Sequence, residues 1–301
     1  MTDFFPDPDH FSSLPDSLGS ESVTVALQDI AVRFDGLSPA LALAARKRYA
    51  LFLSDATPLH RVVLHPGGPA YLEPATDRFL RLEERIFPEG RVLSSTDFTA
   101  YWEEGGAGRG VLRVSSPDDG KAVERAMENY LRWVVSDLAI ERGAFILHAA
   151  GLLRNSRAYL FFGHSGAGKS TVTALSEGCQ VLSDDLVLLV KTDEGFKATT
   201  TPFWGTFPQS AKDTGLYPVA GLFRLRQSKD VKTTPVSGGT AASLVLSCCP
   251  FVSNPGRVSG RLMPLIQDLC RTTPLFFLDF RKDPDFWDTV MEATAVQTGG
   301  K

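Results

Sequence analysis

Residues 163 to 171 read Gly163-His164-Ser165-Gly166-Ala167-Gly168-Lys169-Ser170-Thr171, a GxxxxGK pattern followed by Ser and Thr. Three glycines allow the backbone to curl so that successive N–H groups face one point, and a lysine and a hydroxyl follow within reach of phosphate oxygens. That combination suits the cradling of a polyphosphate. Gly163, Ser165, Gly166, Ala167, Gly168, Lys169, Ser170 and Thr171 form the expected cradle. Lys169 is predicted to bridge the β and γ phosphates and Ser170 to coordinate Mg²⁺. His164 is a spacer whose ring can face solvent.

Such a loop needs a strand to deliver it and a helix to continue it. The apolar run Ala158-Tyr159-Leu160-Phe161-Phe162 is the predicted strand, and Val172, Ala174 and Leu175 begin a helix that Gly178 can close. That helix would aim its positive end at the bound anion. Gln180 to Val190 then holds two apolar runs separated by Asp184-Asp185. A carboxylate at the end of a strand beside a phosphate loop is where a phosphoryl-transfer site holds its metal. With two adjacent acids, one can meet Mg²⁺ while the other accepts the proton of an attacking hydroxyl. Upstream, Ala144 to Leu153, the polar turn Arg154-Asn155-Ser156-Arg157 and the loop's own strand read as a β-hairpin. His148 stands alone among apolar neighbours in its first strand. From the residues it is either a core histidine or a metal ligand and proton handler.

The rest of the chain supplies scaffold. With 301 residues, 43% hydrophobic and 22% charged, it is long enough for one large or two modest domains and ordinary enough to be globular. The formal net charge of −4 gives no global field for nucleic acid or anionic membrane, so an anion must be caught locally. No apolar run approaches a membrane span and the acidic, proline-broken start is no export signal, so neither nucleic acid nor membrane is expected and the setting is cytoplasmic. Cys179, Cys248, Cys249 and Cys270 lack metal or redox spacing and read as buried thiols.

Residues 1–19, rich in Pro, Asp and Ser, are predicted to be a mobile tail. Val23 to Phe34 alternates as strands, and Ser38-Pro39 opens a helix to about Leu53. Short strands follow at Arg61 to Leu64, Arg91 to Leu93, Phe98 to Trp102 and Val111 to Val114, with Gly105 to Gly108 as a plain hairpin loop. Gly120 to Arg142 carries one apolar stripe and is the clearest amphipathic helix. Arg224 and Arg226 lie two apart on a predicted strand and share a face, turned toward transferring phosphate or toward solvent. Leu262 to Leu269 and Phe286 to Met291 are predicted to be helical cover for the sheet.

The ordered set of Leu147-His148-Ala149-Ala150-Gly151, the glycine loop and Leu182-Ser183-Asp184-Asp185 resembles the HPr kinase/phosphorylase-like proteins, relatives of ATP-dependent phosphoenolpyruvate carboxykinase. More loosely, Thr201 to Gly205, Phe277 to Phe280 and Asp283 to Trp287 resemble the divergent type found among peptide-modification genes. The resemblance implies an α/β fold: a P-loop kinase domain with a mixed, partly antiparallel sheet, plus a smaller α+β N-terminal region. It implies ATP and Mg²⁺. It implies Asp184 as proton acceptor, Asp185 as metal ligand, His148 at the metal centre with a catalytic part, and Lys169 as the catalytic cation beside Ser170.

No counterpart of the family's ExRGxG signature follows the acids, so the resemblance carries over neither HPr as acceptor nor phosphorolysis. The expected activity is transfer of the ATP γ-phosphoryl group to a hydroxyl, a serine of a peptide or protein. The alternatives are a kinase of a free serine-like molecule and a non-catalytic ATP-binding regulatory or maturation partner. A GTPase is disfavoured by the lack of an NKxD motif. The expected domains are the tail 1–19, an α+β region 20–115, a nucleotide-binding domain 116–294 and a flexible end 295–301, with homo-oligomerisation left open.

Overall fold

A computed structural model describes residues 6–67, 82–104, 108–208, 210–252 and 258–295. The chain forms two compact units, Met1–Val135 and Ser136–Lys301. Each is built on its own mixed sheet, so the fold is α/β.

In the first unit the strands are β1 (Glu21–Leu27), β2 (Ile30–Leu37), β3 (His60–Pro66), β4 (Glu83–Phe87), β5 (Gly90–Ser94), β6 (Phe98–Glu103) and β7 (Arg109–Val114), in the order β1-β2-β3-β7-β6-β5-β4. β3 runs parallel to β2 and β7, and the other neighbours are antiparallel. Alternation in β1 and β2 puts Val23, Val25, Val32 and Phe34 inside, as the period-two pattern requires. Helix α1 (Pro39–Arg48) starts on the Ser38 hydroxyl, which accepts from the Leu41 N–H, with Pro39 in the first turn. It ends at Arg48, short of the expected Leu53, and a 3₁₀ turn over Ala50–Phe52 follows. The strands of the hairpin β6–β7 pair as expected, and residues 105–107 of its loop lie outside the described residues.

Helix α2 (Gly120–Glu141) buries Val123, Met127, Tyr130, Leu131 and Val134, which is the stripe read from its 3.6-residue period. The expected boundary at 115/116 lay before this helix, whereas the division into units falls inside it. Tyr130 and Trp133 explain why: they pack on Phe34, His60 and Trp102 of the first sheet.

The expectation of a mobile tail over residues 1–19 does not hold for residues 6–19. Phe11 is buried and stacks on Tyr101 at 5.4 Å, the Arg113 guanidinium donates to the His10 carbonyl, and the Leu18 N–H donates to the Leu64 carbonyl. Composition counted the polar residues, but the few aromatic and backbone anchors decide whether such a segment is tied down.

In the second unit β8 (Ala144–Arg154) and β9 (Arg157–Phe162) form the predicted hairpin, turning through Asn155 and Ser156, both at positive φ. β10 (Gln180–Ser183) and β11 (Leu186–Thr192) both run antiparallel to β8, at successive stretches of it. β12 (Gly195–Thr199) follows, then β13 (Tyr217–Gln227), which is parallel to β9 and to β15 (Leu275–Phe280), and β14 (Lys232–Val236) at the edge. The sheet is therefore mixed.

Both faces of this sheet are buried, which accounts for the unbroken apolar runs in β8 and β9. One face holds Leu147, Leu160, Phe162 and Leu222 with Ala241 and Val245 of helix α4 (Gly238–Leu246) and Ile266 of the helix Met263–Thr272. The other holds Phe161, Phe223, Leu278 and Val172 with Phe286, Trp287 and Val290 of the helix Phe286–Ala295. Burying one such Phe or Leu side chain stabilises the fold by about 1.5–3 kcal/mol. β4, β12 and β14 went unread in the sequence, for β4 and β14 are polar edge strands and β14 even contains Pro235, which an edge tolerates. Among the described residues, no helix is long and apolar enough to cross a membrane.

Candidate nucleotide and phosphoryl site

The glycine loop leaves the C-terminal end of β9 and enters α3 (Lys169–Ala174). Its glycines are required by space as well as by torsion. A Cβ on Gly163 would lie 2.6 Å from that of Ala167, so a side chain there would force the curl open. Gly168 has φ +112° and its Cβ would meet the Phe280 ring at 2.5 Å, a position closed to other residues on both counts. α3 has only six residues, so a helix dipole adds little here, and the loop amides with Lys169 are the groups that could hold an anion. The Lys169 ammonium turns back onto the loop, donating to the carbonyls of Gly163 at 3.0 Å and His164 at 3.4 Å. Ser165, Gly166 and Ser170 are partly or fully open to solvent around it, and His164 is exposed with its ring on the Ser165 carbonyl.

Strand register brings the other groups to this loop. Ala149 of β8 lies opposite Phe162, the last residue before Gly163, so His148 falls beside the start of the loop. His148 is in turn the register partner of Leu186, and the Ala149 N–H donates to the Asp185 carbonyl at 3.0 Å. The result is a contact between His148 Nε2 and Asp185 Oδ1 at 3.2 Å, the side chains 40% and 21% exposed. Lys169 shares this neighbourhood. Burial holds its ammonium below the ordinary lysine value, Cys248 and Asp185 push it back up, and Arg224 adds to the lowering.

The two adjacent acids have separate fates. Asp184 is buried, and its carboxylate accepts from the N–H groups of Gly205 at 2.7 Å, Thr206 at 2.8 Å and Phe207 at 2.9 Å. The Ser183 hydroxyl supports the same segment by donating to the Phe203 carbonyl, and the N–H groups of Asp185 and Leu186 donate to it. Asp184 is thus an anchor for residues 203–207, and the proton-acceptor role expected for it does not suit a carboxylate whose two oxygens are occupied by backbone amides. Phe203, at the start of this segment, is wholly buried core.

Two residues gained a place here that sequence reasoning did not give them. Gln227, at the end of β13, donates its amide to the Gly166 carbonyl at 2.8 Å and so steadies the loop. Cys248, read as an inert buried thiol, has its carbonyl on the His148 N–H at 2.8 Å and its Sγ 3.0 Å from an Arg224 nitrogen. Arg226, by contrast, is forked onto Asp279 at 2.6 and 2.9 Å and lies over the Phe277 ring. The apolar flanks of Cys248 and the alternation of Arg224 with Arg226 were the only signals in sequence, and neither distinguishes a site from a core or a solvated face.

Among the described residues no three His, Cys, Asp or Glu side chains cluster as a ready metal cage. The oxygen donors at hand are the Ser170 hydroxyl and the Asp185 carboxylate. That sparse set fits Mg²⁺ arriving with a nucleotide, since this ion takes one or two protein oxygens and fills its shell with phosphate oxygens and water.

Among solved structures, a distant likeness is the HPr(Ser) kinase/phosphatase from Coxiella burnetii, at 12% identity and a TM-score of 0.30, covering 52% of this chain and 99% of that one. No curated protein matches. The family model described as SynChlorMet cassette protein ScmC matches residues 111–295. That span is well over half of the 301 residues and contains the glycine loop, His148, both acids and Arg224, and on it the chain belongs to the SynChlorMet cassette protein ScmC family.

Proposed function

We propose that this chain is an ATP-dependent kinase that transfers the γ-phosphoryl group to a hydroxyl, a serine of a peptide or protein. The observation that carries the reading is the convergence, by strand register, of the His148–Asp185 pair on the start of a glycine loop with a half-buried lysine. Phosphoryl transfer asks for positioning and charge stabilisation more than covalent chemistry, and these groups supply both. Backbone amides of 163–168 hold the phosphates, and Lys169 leaves its two loop carbonyls to meet them. Ser170 and Asp185 are the residues that would hold Mg²⁺, which when bound offsets phosphate charge. The hydroxyl's proton passes to the His148–Asp185 pair. Asp184 acts at one remove, fixing the 205–207 segment under its neighbour.

Incubation of the purified chain with ATP and Mg²⁺, against a panel of serine-containing peptides and free serine, tests this by mass spectrometry. One phosphoryl group gained by a peptide is the expected result. Gain on free serine alone moves the acceptor to a small molecule, and ATP binding with no transfer to any acceptor overturns the kinase reading.

A further inference from the structure

We infer that Arg224 is a second cation of the phosphate site, whose guanidinium engages the γ-phosphoryl group of bound ATP together with Lys169. The inference rests on the kinase reading above and names a residue which that reading does not use. Three observations place Arg224. In register it lies opposite Phe162, the residue that hands the chain to Gly163, and its guanidinium is 5.6 Å from the Phe162 ring. Three residues further along the same strand, Gln227 already reaches the loop carbonyl of Gly166. The Arg224 guanidinium donates to Cys248 Sγ at 3.0 Å, and the carbonyl of Cys248 accepts from the His148 N–H. Arg224 is therefore tethered between the loop and the His148–Asp185 pair.

The identity of the tether matters. Two residues on, Arg226 meets the carboxylate of Asp279 in a fork that cancels its charge. Arg224 rests on a thiol and an aromatic ring, which hold a guanidinium in place without a full opposing charge. Lys169 is held in the same manner, on backbone carbonyls. Both cations rest on neutral acceptors that a phosphate oxygen outcompetes, since an ionised acceptor adds the attraction of opposite charges to the hydrogen bond. Arginine also offers the planar fork that matches a phosphoryl group's oxygens.

The test is isothermal titration calorimetry of the full chain with ATP and with ADP in the presence of Mg²⁺. Arg224→Met is expected to weaken ATP about tenfold while leaving ADP within about twofold, because only ATP carries the γ-phosphoryl group. Arg224→Gln carries the same expectation should the Met variant not fold. Arg226→Met, which removes a strand cation bonded elsewhere, is expected to leave the ATP to ADP ratio unchanged. Equal loss of both nucleotides in Arg224→Met or Arg224→Gln, or no loss of either, overturns the inference while ATP binding and transfer by the unaltered chain uphold the kinase. Failure of the unaltered chain to bind either nucleotide removes the kinase reading and this inference with it.

Discussion

His60 and His148 are both strand histidines with arginine and acidic residues close by, one in each unit, and they show how one set of residue types can close a core or open a site. His60 is fully buried, its Nε2 2.6 Å from the Tyr130 hydroxyl. Nearby, Arg91 lies 4.1 Å from the Trp102 ring and 3.6 Å from Glu84, whose carboxylate also takes the Trp133 indole N–H at 2.8 Å. The Arg91 and Glu84 side chains are only 7% and 6% exposed. Burial, and then the Arg91 charge, holds His60 down to about 3, so its imidazole stays neutral. In the second unit His148 meets Asp185 at the mouth of a loop, and Arg224 and Lys169 rest on acceptors that a ligand can replace. The difference lies in what covers each group. Trp102 of β6 and Tyr130 of α2 pack on His60 and seal it, although it opens its strand, while His148, in the middle of β8, lies beside the loop that leaves β9 and keeps 40% of its side chain exposed.

The sharpest way to break this comparison is at the acid pair. Asp185→Asn is expected to lower phosphoryl transfer at least a hundredfold, since it removes both a proton acceptor and an oxygen that would hold Mg²⁺, while ATP affinity measured without Mg²⁺ stays within a few-fold. Rates measured by phosphopeptide formation check it, and an unchanged rate returns the role to some other group. Asp184→Asn should act on folding instead. Three backbone N–H groups lose their charged acceptor, and the urea midpoint is expected to fall by the equivalent of about 2–3 kcal/mol. If Asp184→Asn abolishes transfer with stability intact, the division of labour drawn here is reversed.

The sealed side yields a pH prediction. The unfolded chain protonates His60 near its ordinary value of 6.5, whereas the folded chain resists until about 3, so across that window the unfolded state binds the extra proton. Stability should be complete above pH 6.5 and decline as pH falls toward 3, by about 2–4 kcal/mol from this group. Denaturation midpoints over pH 4–7 should show that decline, and His60→Gln should flatten it. A pH dependence unaltered in His60→Gln would falsify the sealed reading.

Much of this was legible in the residues. The glycine loop, the β8–β9 hairpin, the α2 stripe and the two covering helices near the C-terminus all follow from local rules of spacing, turn chemistry and periodicity. The edge strands β4 and β14 were not, because exposed strands lose the alternation that marks buried ones. Residues 6–19 were misjudged because a few anchors outweigh a polar average. At the site, Lys169 and Ser170 could be named from their motif alone. Gln227 and Cys248 could not, since one ends a strand and the other sits in the turn after a helix, both distant in sequence with no fixed spacing from the loop, and Arg224 could be named only as one of two arginines sharing a strand face.

The sequence by itself determined a glycine-rich loop between a strand and a helix, with a histidine before it and two acids after it in order, because glycine torsions and strand–loop–helix spacing are local properties. Which acid meets His148 and which one anchors residues 205–207, and which arginine is forked onto a carboxylate, was decided only by the tertiary structure. Asp184 and Asp185 stand side by side in the bend between β10 and β11, and Arg224 and Arg226, two apart on one strand, share a side, so the members of each pair are equivalent in a list of letters. They become different only when neighbouring strands in register supply backbone amides to one acid, a histidine to the other, a carboxylate to one arginine and a thiol to its neighbour.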